Sequence, residues 1–211
     1  MALTSAVLTA RSLTLAALCL CAIFSLQPVE AASRWKAGVA SIDITPVAPV
    51  WMAGYAARTR PSEGTLAPLR AKALALKYGQ DKPAVLVAAD LLGFPADVSR
   101  RVAVRLQESL GLQRDRIIFS ASHTHGGPVV RHSLAVAYDL DAAAQAAVEA
   151  YTIELEDKIV AVVGSALRGL QPARLGFGQT RATFAANRRQ LRDGQSVGRV
   201  QRPAPVDHDV Q

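Results

Sequence analysis

The stretch from residue 84 to residue 122 sets the architecture. Residues 84–91 (AVLVAADL) are almost continuously apolar and read as a strand covered on both faces. Within residues 95–110, Val98, Val102, Leu106 and Leu110 recur every fourth position, while Arg100, Arg101, Arg105 and Glu108 fall on other faces. That is an amphipathic helix, and Gly111 closes it. Residues 116–122 (RIIFSAS) return to buried strand. Upstream, residues 35–44 and 71–78 are strand-like, the second set off from residue 84 by the turn Gly79-Gln80-Asp81-Lys82-Pro83. Downstream, Asp139 or Asp141 caps a long helix reaching Leu170, with Val148, Leu155, Ile159, Val163 and Leu167 on its apolar side. Residues 174–180 read as a strand and residues 206–210 begin another. Strands alternating with helices predict an α/β layered domain, a mixed sheet with flanking helices, incomplete where the chain stops in mid-strand at Gln211.

Of the 211 residues, 50% are hydrophobic and 19% charged, enough to build a core; disorder, collagen and a disulfide scaffold are excluded. Residues 1–31 read as a secretory signal peptide. Arg11 supplies the charge, and the apolar run 13–26 falls short of the about 20 residues a membrane span needs. Cleavage after Ala31 predicts a secreted or periplasmic protein; an uncleaved anchor is the alternative. Both cysteines, Cys19 and Cys21, lie in this leader, so the remaining chain, one domain over residues 32–211, works without thiolate. The net charge is +7. Arg174, Arg181, Arg188, Arg189, Arg192, Arg199 and Arg202 concentrate it late in the chain. Nucleic-acid binding would want interleaved stacking aromatics, and only Phe177 and Phe184 are there, so that partner is not expected.

The chemistry concentrates in Ser120-Ala121-Ser122-His123-Thr124-His125-Gly126-Gly127-Pro128. Alternate residues of extended backbone share a side, so His123 and His125 can converge on one object at the carboxyl end of a strand. Neutral imidazole is the usual zinc ligand of a chain without thiols. The alternative is two imidazoles bonded to backbone in a tight turn. A catalytic zinc needs about three protein ligands. His132, His208 and Asp90 are the remaining candidates, and each also reads as an ordinary surface or loop residue. The long irregular stretch 46–68, with Met52-Ala53-Gly54-Tyr55, is of the length that is usually functional or mobile.

Together these residues resemble the N-terminal catalytic domain of the neutral/alkaline (non-lysosomal) ceramidases. The landmarks are Ala37-Gly38-Val39-Ala40, Asp43-Ile44-Thr45-Pro46, Met52-Ala53-Gly54-Tyr55, Pro68-Leu69-Arg70-Ala71-Lys72-Ala73, Asp90-Leu91, the Ser122-His123-Thr124-His125 box with Gly127-Pro128, Asn187-Arg188-Arg189 and Val206-Asp207-His208-Asp209. The resemblance implies a Zn2+-dependent amide hydrolase that splits N-acylsphingosine, a ceramide, into sphingosine and fatty acid, with membrane-surface association as a corollary. It implies His123 as a zinc ligand, His125 as a contact to the reacting centre and Arg188 as a substrate or oxyanion contact. Gly126 stands where the family usually has serine, and Ala67 where aspartate is common. The family's other zinc ligands, a histidine, a glutamate and a tyrosine, follow the Val206 strand. The expectation is therefore an incomplete site and an inactive fragment. The competing expectation is an exported non-catalytic protein that binds anionic lipid or polymer through its basic face.

Overall fold

The computed structural model describes residues 34–47, 49–201 and 205–210. The expected leader, with Cys19 and Cys21, lies outside the described residues. The chain forms two compact units, one running to Ala173 and the other from Arg174.

The first unit contains strands β1 (Trp35–Asp43), β2 (Arg70–Tyr78) and β3 (Ala84–Ala89), helix α1 (Ala96–Leu110), strand β4 (Ile117–Ala121), helix α2 (Ala142–Arg168) and the short strand β5 (Gln171–Pro172). Their order in the sheet is β4-β3-β2-β1-β5. β1 pairs antiparallel with β2 along its whole length, from Trp35 opposite Tyr78 to Asp43 opposite Arg70. β2 and β3 are also antiparallel, whereas β3 and β4 run parallel. A parallel neighbour needs a crossover, and α1 supplies it. The fold is the expected α/β layer with a mixed sheet.

Both helices end where their sequences dictate. Pro95 precedes α1, where its missing N–H costs nothing, and Gly111 closes it at φ +65°. Asp141, not Asp139, caps α2: its carboxylate accepts the Ala144 N–H at 2.7 Å. α2 lies across β1 and β2 and alongside α1. Ala71, Ala73, Ala75, Val85, Val87 and Ala89 meet Val98, Val102, Leu106, Leu155 and Ile159 in one core. Gly38 lets α2 approach β1 closely, because a β-carbon there would sit 2.1 Å from the Ala166 carbonyl oxygen.

Burial along the central strands corrects one expectation. In β3 only Val85, Val87 and Ala89 are buried; Ala84, Leu86 and Ala88 are exposed. β4 is likewise half open, with Ile118 65% exposed, and Val39 of β1 is 75% exposed. Both helices cover the same face, so the continuous apolar runs reflect two apolar faces of which one is packed.

An ion cluster ties the helices to the loop after residue 128. Glu156 of α2 is buried, and Arg101 Nε of α1 donates to it at 2.8 Å. Arg101 also donates to Asp97 at 3.0 Å, and Arg131 makes a forked contact to Glu149. Burial pushes the Asp97 carboxyl up, but hydrogen bonds from Arg101 and His132 outweigh it and hold the group below its ordinary range.

In the second unit, β6 (Thr180–Arg181) pairs antiparallel with β9 (Asp209–Val210), and β7 (Asn187–Arg192) with β8 (Gln195–Gln201). Of the strand expected over residues 174–180, only its last residue is paired; Leu175 and Phe177 are exposed, and the segment finds no ladder of its own. Likewise only Asp209 and Val210 of the 206–210 segment join a strand. The β7–β8 hairpin is additional to the expected strands.

Candidate active site

β4 continues its ladder one residue past its end, the Ser122 N–H donating to the Ala89 carbonyl at 3.0 Å. The backbone then leaves the extended region: His123 sits at φ +56°. Strand alternation is therefore not what gathers the two imidazoles. A turn does, and it sets their ring centres 5.2 Å apart at 75°. His123 is exposed, and its Nδ1 lies 2.7 Å from the Leu92 carbonyl oxygen. An Nδ1–H donated to that acceptor leaves the ring lone pair on Nε2, the arrangement that orients metal-binding histidines.

His125 is held differently. Its Nδ1 is buried and has no hydrogen-bond partner among the described residues. The ring stands edge-on to Tyr55, centres 4.7 Å apart, and the His125 carbonyl accepts from Arg58 Nη2 at 2.8 Å.

Both contacts come from the irregular connection between β1 and β2, which three sets of bonds fix in place. At its start, Asp43 accepts the Thr45 N–H at 2.8 Å, and Thr45 Oγ1 accepts the Leu69 N–H at 2.9 Å. The bonds from Thr45 hold the Asp43 carboxyl below its ordinary value. Tyr151 of α2 donates to the Ile44 carbonyl at 2.8 Å, and burial pushes that phenol well above its ordinary value. Further along, Ala53 N–H donates to Gly127 O at 2.9 Å and Val129 N–H to Trp51 O at 2.8 Å, so the Met52-Ala53-Gly54-Tyr55 segment runs beside the histidine turn. A second small core of Ala53, Leu92, Val129 and Val148 lies beneath.

Thr45, Val47, Met52, Leu66, Leu69, Thr124, Gly126 and Pro128 line a largely apolar cavity of about 570 Å³ that adjoins the turn. Its size is ordinary for a small-molecule site.

Asp90, His132 and His208 have partners of their own. Asp90 Oδ2 accepts the Arg70 N–H at 2.9 Å, and His132 Nδ1 lies 3.0 Å from Asp97. His208, in the second unit, has Nδ1 3.0 Å from the Ala182 carbonyl. Arg188 lies on β7, and its side chain falls outside the described residues. No group of three histidine, cysteine, aspartate or glutamate side chains able to hold a metal occurs among the described residues. His123 thus has the chemistry of one zinc ligand, and the described residues do not complete a site.

Three participants escaped the sequence. The Leu92 carbonyl gives no signal, since any residue carries one. Arg58 is one arginine among many. Tyr138, whose hydroxyl oxygen accepts the Gly54 N–H at 2.8 Å, stands 84 residues away with no motif to mark it.

A one-sided mixed sheet, with an imidazole pair in the turn after its parallel strand and an apolar cavity alongside, defines an α/β domain of the kind that places its site at strand carboxyl ends. The family description "neutral/alkaline non-lysosomal ceramidase, N-terminal" matches residues 35–192, and the chain belongs to that family. Among solved structures it is similar to the neutral ceramidase of Pseudomonas aeruginosa, with 27% identity and a TM-score of 0.64. It is also similar to a ceramidase complexed with C2, with 25% identity and a TM-score of 0.62. Each match covers 74% of this chain and 25% of the other, so the chain spans about a quarter of these relatives. No curated protein matches it.

Proposed function

We propose that this chain carries part of the catalytic site of an exported zinc-dependent amide hydrolase acting on N-acylsphingosine. The observation that carries the reading is the exposed His123 ring, locked through Nδ1 by the Leu92 carbonyl and beside His125. The supporting comparison is family membership over residues 35–192. In this reading His123 offers Nε2 to zinc, and His125 faces the reacting amide and stabilises the oxyanion. The adjoining cavity excludes water from hydrocarbon of the lipid amide. What a bound zinc supplies is Lewis acidity toward the carbonyl and the attacking water. A substrate of this class lies in a lipid surface, which the net charge of +7 would favour when that surface is anionic.

Among the described residues one oriented histidine is offered to zinc, so the expected outcome is low zinc affinity and no turnover of ceramide. Zinc content of the purified chain and of His123→Ala, with N-acylsphingosine hydrolysis measured on both, tests this. The parent should take up zinc that a mild chelator removes, His123→Ala should take up less, and neither should release sphingosine. Equal zinc in the two proteins would end the hydrolase reading. Zinc-dependent turnover by the parent would end the claim of an incomplete site.

A further inference from the structure

We infer that Gly54 and Arg58 are positioning residues for His125, forming a notch and a strap that hold its ring against His123. The inference rests on the proposed role of His125 at the reacting centre.

The two histidines present different mechanical problems. The His123 ring is oriented by a hydrogen bond at Nδ1. The His125 ring has none at its buried Nδ1 among the described residues, so packing must fix it. The packing partner is a missing atom. A β-carbon on Gly54 would stand 2.5 Å from His125 Cγ and 2.7 Å from Nδ1, so the ring fills the space that glycine leaves. Gly54 also has φ +101°, a conformation that disfavours any side chain. Its N–H is anchored on Tyr138 Oη at 2.8 Å, which keeps the notch from drifting.

The strap acts on the backbone. Arg58 Nη2 donates to the His125 carbonyl at 2.8 Å, and the guanidinium lies 5.4 Å from the Tyr55 ring centre. Tyr55 in turn meets the edge of the His125 imidazole. Ring and carbonyl of one residue are therefore gripped by three residues of a single segment, 54–58. No residue of that grip need touch substrate.

The test is the nuclear Overhauser effect between the His123 and His125 rings at fixed pH, with signals assigned by their loss in His123→Gln and His125→Gln. Gly54→Ala should abolish the inter-ring cross-peak while the His208 signals stay in place. Arg58→Gln should weaken it and Arg58→Lys should largely restore it. An undiminished cross-peak in folded Gly54→Ala overturns the notch, and an undiminished one in Arg58→Gln overturns the strap. Should Gly54→Ala fail to fold, the two Arg58 variants decide alone. The readout needs neither metal nor turnover, so a negative zinc result for His123→Ala sinks the hydrolase reading and leaves the ring geometry separately measured.

Discussion

His123 combines a cost and a use. A β-carbon at φ +56° is strained by roughly 1–2 kcal/mol, and the same conformation turns the imidazole toward the Leu92 carbonyl. Backbone strain of this kind persists where neighbouring contacts over-determine it. Comparing His123→Gly with His123→Ala isolates the strain, since both remove the ring and only alanine keeps the β-carbon. The glycine variant should be the more stable of the two by about 1 kcal/mol in denaturant melts. Equal stability would mean that the turn relaxes once the ring is gone.

At the level of elements, close approach decides more than propensity. Gly38 faces backbone, the Ala166 carbonyl, which cannot swing aside as a flexible side chain would. Gly38→Ala must therefore push β1 and α2 apart, at a cost of about 1–3 kcal/mol. A thermal melt indistinguishable from the parent's would refute this. The periodic segments were legible because their signals are local: the four-residue spacing of α1, the Asp141 cap and the apolar runs of β2 and β3. The hairpin β7–β8 also carries a local signal. Asp193-Gly194, both at positive φ, is the dipeptide that a two-residue primed turn requires. The site was legible only in part. The two histidines do meet, but not by the strand alternation their spacing suggests: a turn at His123 brings them together, beside Leu92, Tyr55 and Arg58, which sequence distance hides. Nor can an apolar run report which of its faces a helix will cover.

For the whole molecule, the ion cluster between the helices contributes stability that acid removes. Asp97 titrates below its ordinary 3.8 in the folded chain, so its contribution is complete above that pH. It is lost as pH falls through the lower folded value. Asp97→Asn should accordingly melt below the parent near neutral pH, and the gap should close as pH drops under 3.8. A gap independent of pH would assign the loss to packing instead of charge.

The outward side of the sheet carries Val39, Leu86 and Ile118 on three different strands, while the molecule as a whole bears +7. Charge keeps such molecules apart in dilute buffer, but ammonium sulfate both screens that repulsion and drives hydrocarbon out of water. This protein should precipitate early in a salt titration, and Val39→Thr with Ile118→Thr, which retain strand preference, should move the precipitation point upward.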